Sequence, residues 1–424
     1  MPFEGQVQPG GWVSGARRSF RSRAGQDWQP AQPACAGRMR GALRGKGFFG
    51  EHRAMNQQEA AAALSVWVAL ESPTSHPAGV NGMMDLVQKE VAGLPIAAER
   101  IPGRDGLGDM VLLRAGLANG QPGVAVMSHL DTVHPVGTNA RELPVRIDGD
   151  RLYGPGVYDM KGGAWLALQA FNDAAKSGTV QRPLVFLFTP DEEIGSPTSR
   201  ALIEEIGRGS KAVLVTEPAR QGGKIVTARK GVGRFDVRLE GRPSHAGSKH
   251  ADGRSAIREA AHQILAIEGM TDYARGITTS VALIGGGTAA NVIPQHAWFS
   301  VDCRVTTLAD GKMMENRILS LKPHDPDVAL RITGGMNRPP YEKSAAVAEL
   351  FELARKVAAD AGFDLQDCPM TGGGSDGNFT AALGVPTLDG LGIDGDGAHT
   401  LQEYGLISSI AQRQALMKGL LETI

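Results

Sequence analysis

The chain divides by the spacing of its apolar positions. Residues 56–70 place them at helical intervals, a Ser-Pro-Thr-Ser-His-Pro break follows, and residues 81–92 predict a second helix. Residues 123–131 (GVAVMSHLD) predict a strand that turns polar at its C-terminal end. Residues 160–176 predict a helix with Ala, Leu and Phe on one face and Gly178 placed to stop it. Residues 183–189 (PLVFLFT) predict a buried strand, 198–207 a helix and 211–216 (KAVLVT) another strand. Strands and helices alternating at this spacing imply a mostly parallel sheet covered on both faces.

The texture changes after Gly222. Strands are predicted within 224–240, a helix over 255–268, strands over 278–284 and 297–304, a helix over 310–321 and a strand over 328–333. That order is the strand-helix-strand-strand-helix-strand pattern of a ferredoxin-like α+β unit. Helices over 344–361 and after Asp376, a strand over 385–388 and a terminal helix from Gly405 resume the first pattern. The fold class is therefore α/β, with a small α+β domain inserted into a mostly parallel catalytic domain.

Composition narrows the function classes. The chain has 424 residues and a net charge of −1, which argues against a nucleic-acid binder. Its 56 glycines follow no G-X-Y period, which excludes collagen. Three cysteines (Cys35, Cys303, Cys368) are too few and too scattered for a disulfide framework or a thiolate zinc site. No apolar run is long enough to span a membrane, and a soluble cytoplasmic protein is the expectation.

The near-zero charge hides an asymmetry. Residues 1–54 hold nine Lys/Arg against three acids, a charge of +6, with no hydrophobic period. This stretch reads as a disordered basic extension, with an organelle transit peptide as the alternative. The organisation expected is 1–54 extension, 55–228 catalytic domain, 229–338 inserted domain and 339–424 the remainder of the catalytic domain.

Five polar clusters carry candidate chemistry. In Ser128-His129-Leu130-Asp131 the alternation of a strand points His129 and Asp131 the same way, which suits a metal ligand with a second acid holding its tautomer; a simple strand-end polar pair is the alternative. Asp159 lies in a Gly-rich loop (GPGVYDMKGG), where helix capping is the plainer reading. Asp191, Glu192 and Glu193 follow the most apolar strand; three adjacent acids there repel one another unless a cation is present, or are solvated loop acids. Glu217 ends another apolar strand, and His399 stands among glycines near the C-terminus. In α/β sheets the functional crevice lies at the carboxyl ends of the strands, where most of these groups fall.

Two His and three carboxylates (His129, His399, Asp159, Glu193, Glu217) exceed one tetrahedral zinc with an open position. They fit two metals about 3.5–4 Å apart sharing a carboxylate. Glu192 is left over as a base, and a donor set without thiolate suits Zn²⁺, with Co²⁺ or Mn²⁺ as substitutes.

The runs SHLDTV, GPGVYDMKGG, TPDEEIGS, PSHAG and TGGGSDG, in this order, resemble the M20 metallopeptidases, closest to the glutamate carboxypeptidase (carboxypeptidase G2-like) branch. The resemblance covers roughly residue 55 to the C-terminus. It implies two Zn²⁺ per subunit bridged by Asp159, with His129 and Glu217 on one ion and Glu193 and His399 on the other. It implies a cis peptide after Asp159, Asp131 orienting His129, and Glu192 as general base for attack on an amide carbonyl by a bridging hydroxide. It also implies that the inserted domain serves as lid and homodimer contact and supplies His245 of PSHAG to the developing oxyanion; a turn-capping surface histidine is the plainer reading. Asn291 and Arg304 match substrate-holding positions, Arg304 as the grip on a free α-carboxylate or otherwise a surface arginine. Gly373 and Gly374 either approach a ligand or only turn the chain.

The activity implied is a carboxypeptidase releasing a C-terminal amino acid such as glutamate from a peptide or N-acyl amino acid. N-acyl-amino-acid deacylase, desuccinylase and dipeptidase are the alternatives on the same site, and a non-catalytic binding protein is the alternative outside enzymes.

Overall fold

The computed structural model describes residues 56–117 and 120–424. The basic extension read in residues 1–54 lies outside the described residues.

The helix Gln57–Ala69 starts from a capping box: Asn56 accepts from the Glu59 N–H at 2.9 Å and donates its own N–H to the Glu59 carboxylate at 2.9 Å. Its apolar face buries Leu64, Trp67 and Val68. The second helix begins earlier than its apolar pattern suggests, at Pro77, because proline suits a first turn that needs no N–H donor.

The central sheet has six strands. Ala97–Ile101 and Met110–Ala115 form an antiparallel edge, followed by Leu184–Thr189, Gly123–His129, Ser210–Val215 and Thr387–Leu388, which pair parallel. The three middle parallel strands are almost wholly buried, as a sheet covered on both faces requires. The edge hairpin was not anticipated, and the strand expected over 385–388 shrinks to two residues. The helix Gly162–Ser177 crosses one face and ends at Gly178 in the left-handed conformation (φ 69°). Its second residue, Gly163, packs where a Cβ would lie 2.0 Å from Thr216 O, so the helix start sits directly on a strand end.

Four antiparallel strands form a second sheet, in the order Thr278–Gly286, His296–Val305, Gly231–Glu240, Ala329–Arg338. With the helices Ala256–Glu268 and Leu308–Leu319 this is the ferredoxin-like arrangement, and Phe235, Phe299, Val301 and Met314 fill its own core. Its last strand runs five residues past the expected end, to Arg338. A small sheet absent from the sequence reading joins Gly395–Asp396, Tyr404–Leu406, Arg151–Tyr153 and Arg146–Asp148, and sets the loop carrying His399 beside the loop carrying Asp159.

Candidate metal centre

The parallel strands deliver their polar ends to one place. His129 is the last residue of its strand; Glu192 and Glu193 follow Leu184–Thr189, and Glu217 follows Ser210–Val215. Asp159 enters from the turn before the long helix, after which the Asp159–Met160 peptide is cis. Its Oδ1 lies 3.3 Å from His129 Nε2 and its Oδ2 3.3 Å from His399 Nε2. Glu193 Oε2 is 3.1 Å from His399 Nε2, and Glu217 Oε1 is 3.8 Å from His129 Nε2. One carboxylate thus faces two histidines, each with its own glutamate.

Asp159 does not cap the helix, which begins at Gly162. Its N–H donates instead to Glu403.

The surroundings hold these groups in place. His129 Nδ1 meets the main-chain carbonyl of Asp131 at 2.9 Å, while the Asp131 carboxylate is farther, at 3.4 Å. The strand ends before Asp131, so the chain turns its carbonyl rather than its side chain onto the ring. The fully buried carboxylate accepts from the N–H groups of Glu192 and Glu193 and from the Thr74 hydroxyl. Asp131 therefore ties three loops together as well as orienting His129. Glu192 is gripped by Arg338, whose Nη2 donates to its Oε1 at 2.7 Å and to its main-chain carbonyl at 3.0 Å. The other arm of Arg338 donates to Asp376 at 3.0 Å.

The cluster attracts positive charge. Burial pushes Glu192 up to about 8 against the pull of Arg338 and His129. Glu193 is raised by burial, and Glu217 well above the carboxylate range by burial and by Asp159 and Glu192. Bonds to Asp159 and Glu193 push His399 up to about 11. Burial opposes a charge on His129, but the Asp131 and Asp159 carboxylates outweigh it and hold its pKa well above the usual value. Burial would raise Asp159, yet its two histidines bring it below the ordinary range. Glu193 Oε1 is buried with no hydrogen-bond partner among the described residues, a desolvated acceptor that a cation would satisfy. Ligand atoms of His129, Asp159 and Glu193, and those of His129, Glu192 and Glu217, fall within 4.8 Å of one another. Imidazole nitrogen and carboxylate oxygen in this density fit divalent zinc, cobalt or manganese.

The remaining sequence candidates have contacts of their own. His245 is exposed, and its Nδ1 accepts from the N–H groups of Gly247 and Ser248 at 3.1 and 3.2 Å. An imidazole whose Nδ1 accepts carries its N–H on Nε2, which can then act as a donor. Asn291 adjoins it, its carbonyl accepting from the Ala246 N–H. Arg304 is already bidentate with Asp302, at 2.7 and 2.8 Å, and reaches Gly372 O at 3.2 Å. Gly373 turns its carbonyl to Arg229, and a Cβ at Gly374 would lie 2.7 Å from Arg338 Cδ.

Sequence reasoning passed over Glu403, Arg338, Arg229 and Lys161. All four are buried, and a buried charged residue is uncommon without a partner. Nothing local in the sequence marks them.

A carboxylate-rich cluster at the parallel strand ends, joined by His399 from a neighbouring loop and flanked by the largely enclosed Glu192, is that of a metal-dependent hydrolase of amide bonds. Residues 125–423 match peptidase family M20/M25/M40, and the chain belongs to that family. Carboxypeptidase G2 of Pseudomonas sp. is 31% identical over 82% of this chain and 85% of its own length. Acetylornithine deacetylase of Myxococcus xanthus is 30% identical over 57% of this chain and 66% of its own. Aminopeptidase PepT of Bacillus cereus shares the fold at a TM-score of 0.68, with 21% identity, covering 87% of this chain and 98% of that one.

Proposed function

We propose that the protein is a two-metal carboxypeptidase that hydrolyses the amide bond of a C-terminal amino acid such as glutamate. The observation that carries this is Asp159 standing between His129 and His399, one oxygen toward each. His129 and Glu217 would hold one ion, Glu193 and His399 the other, and Asp159 both; Zn²⁺ is the ion best suited to the donors. When bound, the ions polarise the scissile carbonyl and acidify a water.

The protein's own groups do the rest. Glu192 takes the proton of the attacking water and returns it to the leaving nitrogen. Arg338 fixes the direction in which that carboxylate points, and its pairing with Asp376 keeps the guanidinium from wandering. His245, held as an Nε2–H donor, steadies the developing oxyanion. The resemblance implies that the inserted unit (229–338) is a homodimer contact, and on that reading His245 is delivered to the centre of a second copy. Arg304 would exchange Asp302 for the substrate's α-carboxylate, a bidentate swap that retains its geometry. On the same resemblance, Asn291, Gly373 and Gly374 would help to hold the substrate.

The carboxypeptidase reading rests on the resemblance to carboxypeptidase G2 and on Arg304. Metal analysis together with a panel of N-acyl-glutamates, N-acetyl amino acids and dipeptides tests it. Two equivalents of metal and preference for N-acyl-glutamates are expected. Turnover confined to N-acetyl amino acids would replace it with a deacylase, and less than one equivalent, without rescue by added metal, would overturn the two-metal centre.

A further inference from the structure

Glu403 is fully buried, yet among the described residues no arginine or lysine donates to it. Its carboxylate is given over to main-chain amides: Oε1 accepts from the N–H groups of Tyr158 and Asp159, both at 2.9 Å, and Oε2 from that of Gly156 at 3.0 Å. Three amides of one short loop converge on one side chain that arrives from about 245 residues further along the chain. Lys161 is close enough to feel its charge, but spends its ammonium on Leu70 O at 2.6 Å.

The same stretch of chain carries His399. Gly397 O accepts from the N–H and hydroxyl of Thr400, and Thr400 O meets His134 Nε2 at 3.0 Å. His134 is buried, with its Nδ1 3.7 Å from Glu403 Oε2. Residues 399–403 therefore supply one histidine to the centre and, four residues later, the clamp on the carboxylate that faces it.

We infer that Glu403 is a positioning residue of the metal centre, clamping residues 156–159 through three amides so that the two oxygens of Asp159 face His129 and His399. The inference rests on the reading of Asp159 as the shared ligand. A glutamine in its place has one acceptor oxygen and presents an NH₂ group to an N–H donor, so at least one of the three bonds is lost. Asp159 then stays in the protein but loses its fixed direction. Removal of such outer partners typically weakens metal affinity about 10–100-fold.

The test is cobalt titration of chelator-stripped protein, followed by visible absorption, for wild type, E403Q, E403D and D159N, with far-UV circular dichroism and melting of each stripped protein. E403Q is expected to fold and to bind Co²⁺ about 10–100-fold more weakly, with an altered spectrum, and E403D to recover part of the affinity. A residue that only stabilises the loop would lower the melting temperature and leave the cobalt affinity and spectrum of the folded protein alone. Folded E403Q with wild-type affinity and spectrum overturns the inference. Should E403Q not fold, wild-type binding by E403D overturns it equally, and weakened binding supports it. Undiminished binding by D159N is a separate result: it removes the shared-ligand reading on which the inference stands.

Discussion

Replacing Glu192 by glutamine separates the role of a base from that of a ligand. Glu192 Oε1 accepts from Arg338 at 2.7 Å, and a glutamine carbonyl oxygen can take that bond unchanged. Arg338 keeps its other partner, Asp376, at 3.0 Å, so the buried guanidinium is not left without an anion. A glutamine adds no charge beside Glu193 and Glu217, whose carboxylates and that of Glu192 raise one another, so the cluster gains no repulsion. The fold and the five proposed ligands should therefore survive. What disappears is a proton acceptor, and a positioned general base contributes about 10²–10⁴-fold to rate. In barrier height that is about 3–5.5 kcal/mol at about 1.4 kcal/mol per tenfold. Amino-acid release followed by chromatography gives kcat, and mass-spectrometric metal analysis gives occupancy on the same sample. The expected result is a fall in kcat of at least about a hundredfold with both metals retained. The rival is specific, because a Glu192 oxygen also lies within 4.8 Å of ligand atoms of His129 and Glu217. Loss of an ion in Glu192→Gln would make Glu192 a ligand, and near-wild-type turnover would remove it from the chemistry altogether.

Two further outcomes follow from other contacts. Arg304→Ala should raise KM about tenfold or more for substrates with a free α-carboxylate, the worth of a charge-assisted bond, and leave their amides little changed; equal effects on both would take Arg304 out of that role. Asp389→Ala strips the bidentate partner from Arg229, paired at 2.7 and 2.9 Å with both side chains buried, and should cost about 3–5 kcal/mol in urea unfolding. A loss below about 1 kcal/mol, the range of exposed pairs, would show that the pair is not sealed from water.

The reach of the sequence followed the reach of local pattern. His129, Glu193 and Glu217 were legible because each stands just beyond an apolar run that can only be a buried strand, and such ends gather at one edge of a parallel sheet. The ferredoxin-like unit was legible because its strands reach ten residues with alternating burial, as in Gly231–Glu240. The strands Arg146–Asp148 and Tyr404–Leu406 have three residues each, too few for any period to show. Arg338 and Glu403 were illegible for another reason. Their partners are 146 and about 245 residues distant, and no periodicity links positions so far apart. Asp131 was legible as the partner of His129 but not in its detail: the strand stops at His129, so the main-chain carbonyl of Asp131 comes nearer the ring, at 2.9 Å, than its carboxylate, at 3.4 Å.

The placement of His245 can be decided without a structure of the proposed homodimer. Its Nδ1 accepts from the N–H groups of Gly247 and Ser248 within its own loop, and the donor role proposed for it falls to Nε2. Consider His245→Ala and Glu192→Gln, each inactive alone, mixed in equal amounts after dissociation and reassociation. A twofold dimer exchanges identical patches, so half of the mixed dimers are hetero-dimers. If His245 serves the partner's centre, one of the two sites in each hetero-dimer combines an intact Glu192 with an intact His245, and the other carries both changes. Activity should then return to about a quarter of wild type. If His245 serves its own subunit, every site keeps one defect, and mixing restores nothing. Absence of recovery from a preparation shown to contain hetero-dimers would therefore refute delivery by the second copy, while leaving the donor role of His245 to be judged by the single variant.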